Sequence, residues 1–173
     1  MPRIDPDAAP RRLGSGYPAP FDAPCRQRLR RRLGDAGGLT QFGVNHLTLP
    51  PGAWSSQRHW HSCEDEFVYI LSGEVVLVTD AGDEVLKRGD CAAFGAGAPD
   101  GHHLINRSDA PATLLEVGSR DPMRDRTVYS DIDMIAEPAE EGYRHRDGAP
   151  YPPVEKPGNS VMPPSTNRVA PTT

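Results

Sequence analysis

Several things are scarce in this sequence, and each scarcity removes a class of function. No stretch of the 173 residues approaches the roughly 18 uninterrupted apolar positions of a membrane-crossing helix. The N-terminal MPRIDPDAAPRRLGSGYPAP holds no apolar run, so no secretory signal is expected there. Cysteine is sparse: Cys25, Cys63 and Cys91 are an odd number without metal-type spacing among themselves. That usage fits a reducing, cytoplasmic setting with no membrane association. Basic residues do not prevail either. A net charge of −5 argues against a nucleic-acid partner. Amphipathic helices are missing from the centre of the chain, and no internal repeat occurs.

What is present is a change of texture along the chain. Residues 1–38 are rich in Pro, Arg and Gly without sustained periodicity, and are expected to form an N-terminal arm. From Leu39 the pattern becomes short β-type runs, among them LTQFGVNHLTL, EFVYILS, EVVLVTD, HHLIN and ATLLEV. PPG, LSG, DAGD, KRGD and NRSDAP separate them with turn chemistry, and Ala81-Gly82 marks a hairpin. Many short strands with no intervening helix imply an all-β sandwich or barrel over residues 39–136. RTVYSDIDMI, ending at Ile135, adds a further strand at an edge or across a dimer. Residues 137–173 are too polar and proline-rich to offset their ordering entropy through a core. They read as a disordered tail in which RHRDGAPY docks locally.

The informative stretch is HWHSCEDEFVYILSG, residues 59–73. Strand alternation turns His59 and His61 the same way and Trp60 the other. Two adjacent imidazoles repel as cations but cooperate as neutral nitrogen donors to one ion. SCED is polar and bends the chain, and Glu66 opens the next strand in position to turn back. Glu64 has the same parity as Glu66, so alternation alone does not separate them. About 30 residues on, GAGAPDGHHLIN offers His102, His103 and Asn106, and His102 would complete three imidazoles and one carboxylate. Such a set suits one divalent first-row metal (Fe, Mn, Zn, Ni or Co) with positions left open for water, dioxygen or a chelating substrate.

These residues resemble the two motifs of the cupin superfamily. HWHSCEDEFVYILSG, preceded by Pro51-Gly52, is similar to the first: His-x-His, four residues, Glu, six residues, Gly. GDCAAFGAGAPDGHHLIN is similar to the second, which ends in His, three residues, Asn. The likeness runs from about Thr40 to Gly118 and extends to bacterial single-domain members often labelled sugar-phosphate-isomerase-like. It implies a small jelly-roll barrel with His59, His61, Glu66 and His102 as metal ligands. The motif spacings favour Glu66 over Glu64 and His102 over His103. Two departures stand out: Gly95 replaces the family's proline, and the GAPDG turn is two residues longer.

Around that site the sequence suggests fewer roles. Glu64, Asp65 and His103 are candidates for proton transfer. Cys63 lies beside the ligands at a turn that suits a spectator. His46 reads as a satisfied histidine, Cys91 as a buried small hydrophobe, and Phe94 and Leu104 as core. Trp60, Phe67 and Tyr69 are expected on the outer face of their strands, where a homodimer would cover them. The basic run from Arg26 to Arg32 reads as a solvated arm or one paired with a neighbouring acidic surface, although guanidinium forks also hold phosphate or carboxylate. The favoured function is a metal-dependent enzyme on a small oxygenated substrate, an isomerase or lyase or, with Fe(II), a dioxygenase. The alternative is a non-catalytic module that binds a small ligand.

Overall fold

Alternation builds the long strands. In FGVNHLTL, Leu47 and Leu49 are buried while Phe42 remains exposed. EFVYILS repeats the device, with Val68 and Ile70 inward and Phe67 and Tyr69 outward. The computed structural model describes residues 3–154. Within them lie β1 (Arg11–Leu13), β2 (Leu29–Arg32), β3 (Phe42–Leu49), β4 (His59–His61), β5 (Glu66–Ser72) and β6 (Glu74–Thr79). β7 (Gly82–Lys87), β8 (Cys91–Phe94), β9 (His103–Ile105), β10 (Ala112–Ser119), β11 (Thr127–Tyr129) and β12 (Ile135–Ala136) follow. A short α-helix, α1 (Leu33–Ala36), links β2 to β3.

A six-stranded sheet runs in the order β1-β2-β3-β10-β5-β8. Two three-stranded sheets, β7-β6-β9 and β12-β11-β4, complete the all-β architecture. An isolated antiparallel bridge between His59 and His102 ties the two small sheets together. The core joins inward residues of the large sheet (Leu47, Leu49, Val68, Ile70, Leu114) to Val75, Leu77, Leu86 and Leu104. Gly73 closes β5 onto β6 at φ +73°, and a Cβ there would lie 2.9 Å from the Ala112 Cα. Asn106 is fully buried and donates to the carbonyls of Leu49 and Ala110, fastening the end of β9.

The structure shifts several local expectations. The β6–β7 turn is Asp80-Ala81, one residue earlier than expected, because Gly82 already pairs with Thr79. Cys91 is exposed rather than buried: it lies across from Tyr69 on the outer side of the sheet. Within the stretch expected as an arm, β1 and β2 extend the large sheet beside β3. The strand foreseen in RTVYSDIDMI is β11, paired with β4 of the same chain. Residues of both terminal segments meet in a second cluster, where Tyr17, Cys25, Tyr129 and Met134 are buried and Phe21, Tyr143 and Tyr151 pack against them. RHRDGAPY docks there: Arg146 donates to the Tyr129 carbonyl at 2.9 Å, and Tyr151 to that of Asp133 at 2.7 Å. Residues 155–173 of the expected tail lie outside the described residues.

Candidate metal centre

Three elements bring the motif residues together. β4 presents His59 and His61 on one side, their ring centroids 5.0 Å apart. β5 presents Glu66 with the parity of Val68 and Ile70, so its carboxylate points into the barrel. The bridge opposite His59 brings in His102, whose ring centroid lies 5.1 Å from that of His59. Glu66 Oε2 is 3.6 Å from His59 Nε2, 3.6 Å from His61 Nε2 and 2.9 Å from His102 Nε2. Donor atoms of His59, His61 and Glu66 lie within 4.8 Å of one another; His102 joins that group through its hydrogen bond to Glu66.

The outer nitrogens determine what the inner ones can do. His59 Nδ1 donates to the Gln57 carbonyl at 2.9 Å, and His61 Nδ1 to Asp125 Oδ2 at 2.6 Å. Each ring therefore carries a proton on Nδ1 and turns Nε2 toward Glu66, and in the neutral form this is the tautomer a metal ligand needs. His102 Nδ1 is buried with no partner among the described residues, and the Phe94 ring stacks on it at 3.5 Å. Burial pushes the His59 pKa down to about 4, against the pull of Glu66, so its imidazole is neutral at physiological pH. Burial alone would raise Glu66; the His102 hydrogen bond and the nearby imidazoles outweigh it and hold the carboxylate ionised. Imidazole nitrogens, one anionic oxygen and no thiolate fit a divalent transition ion.

Other residues expected at the site separate cleanly. Glu64 is half-buried and lines the same cleft; its Oε1 accepts the Asp121 N–H at 2.6 Å, and burial raises its pKa. Asp65 is exposed and fastens a loop by accepting the Ala96 N–H at 2.8 Å. His103 does not reach the site. It is buried on the opposite side of β9, donating from Nδ1 to the Ser56 carbonyl at 3.0 Å, with its ring edge-on to Trp54. Trp60, expected on an outer face, lines the cleft with Phe94, Ala98 and Asp100. His46 lies across from Leu115 and Arg31, away from the site. The Cys63 N–H donates to Asp125 Oδ1 at 2.8 Å.

Asp125 and Tyr129 were missed by sequence reading. Asp125 holds His61 and Cys63 together; burial works to raise its pKa, but the His61 bond and the Cys63 N–H outweigh that and lower it. Tyr129, on β11, stacks on His59 at 5.7 Å. Nothing in their spacing from the motif announces them.

A family model described as a cupin domain matches residues 45–118. Among solved structures, the chain is similar to a sugar phosphate isomerase from a cupin superfamily of Silicibacter pomeroyi DSS-3. That likeness has 48% identity and a TM-score of 0.81, over 87% of this chain and 97% of the other. It is also 28% identical over 102 residues to the tetracenomycin polyketide synthase protein TcmJ of Streptomyces glaucescens, covering 59% of this chain. The matched stretch spans 66% of that relative's length. The polyketide cyclase RemF of Streptomyces resistomycificus shares the fold at 18% identity, with a TM-score of 0.56 over 70% of this chain and 80% of the other.

Proposed function

Because the chain belongs to the cupin superfamily, we propose that it is a metal-dependent enzyme acting on a small oxygenated molecule by isomerase-type proton transfer. His59, His61 and Glu66, with His102 as the fourth ligand, hold one divalent ion of the Fe, Mn, Zn, Ni or Co type. The observation that carries this reading is the pair of anchored tautomers, which aim two Nε2 lone pairs at one ionised carboxylate. When bound, such an ion polarises a carbonyl or hydroxyl oxygen of the substrate.

The chain's own groups divide the remaining work. Glu66 stays ionised among the imidazoles, whereas Glu64 in the same cleft has its pKa raised by burial. Two carboxylates pushed in opposite directions is the arrangement expected of a ligand and a proton carrier. We assign proton transfer to Glu64, with the Asp121 N–H fixing one oxygen. Trp60 and Phe94 wall the cleft and exclude water from one side of the substrate. The cleft, about 120 Å³ in volume, suits a small substrate. The 48% identity to a protein named as a sugar phosphate isomerase supports an isomerase over an oxygenase. Phe42, Phe67 and Tyr69 expose rings on the large sheet, the face we assign to a homodimer.

Turnover of candidate sugar phosphates and keto acids by metal-loaded protein, with and without oxygen, tests the assignment. An oxygen-independent reaction lost in Glu64→Gln, with metal content unchanged, is expected. Strict dependence on oxygen, or full turnover by Glu64→Gln, would refute it. High-affinity ligands without conversion would point instead to a binding module.

A further inference from the structure

β1 and β2 bring four arginines to one face of the large sheet. Strand register sets Arg12 across from Arg30, then Arg30 across from Leu47 and Arg32 across from Asn45. Residues directly opposite share a face, so Arg12, Arg30 and Arg32 lie on the side that carries the core residue Leu47. Arg28 precedes the strand with the same parity. It is 5% exposed, donates from Nε to the Gly14 carbonyl at 3.1 Å, and sits 5.8 Å from the centroid of the Tyr17 ring.

The charges in this group do not balance. Arg30 pairs with Glu116 at 2.9 Å, and Arg32 with Asp35 at 3.3 Å, an acid that also serves Arg120. Arg12 and Arg28 have no carboxylate within ion-pair reach among the described residues. Burial lowers the Arg12 pKa, and Arg28, Arg30 and Arg32 lower it further, as expected of a cation crowded by cations. Half-buried like charges without a counter-ion destabilise a fold unless an anion joins them. The group faces the same barrel interior as the metal centre, and Arg30 feels the charge of Glu66. Tyr143 feels the charges of Arg12, Arg28 and Arg30, its ring lies 5.9 Å from that of Tyr129, and Tyr129 stacks on His59.

We propose that Arg12, Arg28 and Arg30, with Tyr143 beside them, form a subsite for the phosphoryl group of a small substrate whose reacting end lies at His59, His61 and Glu66. This deepens the enzymatic reading above and rests on it for the identity of the reacting end. The charge count selects the ligand. Two guanidinium groups with no carboxylate partner among the described residues balance a phosphate monoester of about −1.5 to −2, whereas a carboxylate would leave one positive charge over. Guanidinium forks also match phosphate oxygens in pairs, and the position is half-buried, as selective binding requires.

Inorganic phosphate is the probe. Full-length protein, stripped of metal by chelation, is titrated with phosphate, with acetate, and with chloride at equal ionic strength, by calorimetry and thermal unfolding. Phosphate should bind and raise Tm; acetate should do far less. Arg12→Gln should raise Tm without phosphate, because it relieves like-charge crowding, and should weaken phosphate binding by at least roughly tenfold. Should Arg12→Gln fold poorly, Gly16→Ala displaces the same guanidinium, since its Cβ would lie 2.6 Å from Arg12 Nη2, and should also weaken binding. Unchanged phosphate affinity in the variant that folds, or no response beyond chloride in wild type, overturns the subsite. Equal binding of acetate overturns the phosphoryl assignment. The metal reading fails separately: His61→Ala should lose metal yet keep phosphate binding, and Arg12→Gln should keep metal.

Discussion

The aliphatic barrel core and the cluster built by the terminal segments meet at the β4 histidines, yet different physics holds them. In the barrel, Leu47, Leu49, Ile70 and Leu114 are fully buried by strands that alternate cleanly. In the terminal cluster, tyrosine rings, buried Arg28 and backbone carbonyls carry the packing, as in the edge-on Tyr17–Tyr129 pair at 5.5 Å. The barrel's stability comes from removing apolar surface from water, while the cluster depends on geometry and charge.

Mutations can break that division. Leu114→Ala should cost about 2–5 kcal/mol of unfolding free energy and remove the whole barrel in one transition, read by denaturant titration. Asp125→Asn should leave that stability nearly intact but weaken metal affinity roughly 10–100-fold, because the carboxylate orients His61. Competition with a chromophoric chelator measures the loss. An unchanged affinity would make Asp125 a loop fastener only.

Acid sharpens the contrast. The pKa values of His59 and His103 are depressed by burial, whereas in an unfolded chain both titrate near 6.5. Below that value the unfolded chain binds more protons than the folded one. Metal-free protein should therefore hold its full stability above pH 6.5 and lose it as pH falls toward 4, where His59 takes its proton. A flat profile over that window would mean the histidines are solvated. The smallest effect on the fold should come from Phe67→Asp, which lies on the exposed face of β5. It should split the proposed dimer with little change in monomer stability, as light scattering would show.

The same contrast explains what the sequence made legible. The β-strands and the shared facing of His59 and His61 were readable because both follow a period of two, whereas the jelly-roll class and the choice of Glu66 over Glu64 came from the likeness to the cupin motifs. β1 and β2 were not, since strands of three and four residues carrying arginine on both faces show no apolar alternation. Asp125 lies 64 residues from His61, and only the pairing of β11 with β4 brings it there. His103, a candidate for proton transfer in the sequence, is instead buried where Trp54 and the chain around Ser56 cover that side of β9. Charge–charge placement of this kind is tertiary, and no local pattern records it.

The most direct measurement is the metal content of protein purified without added metal, compared with that of His61→Ala. Close to one transition-metal ion per chain in wild type, falling to background in the variant, is the predicted result. Full loading of His61→Ala, or no transition metal in either protein, would contradict the assignment of this centre.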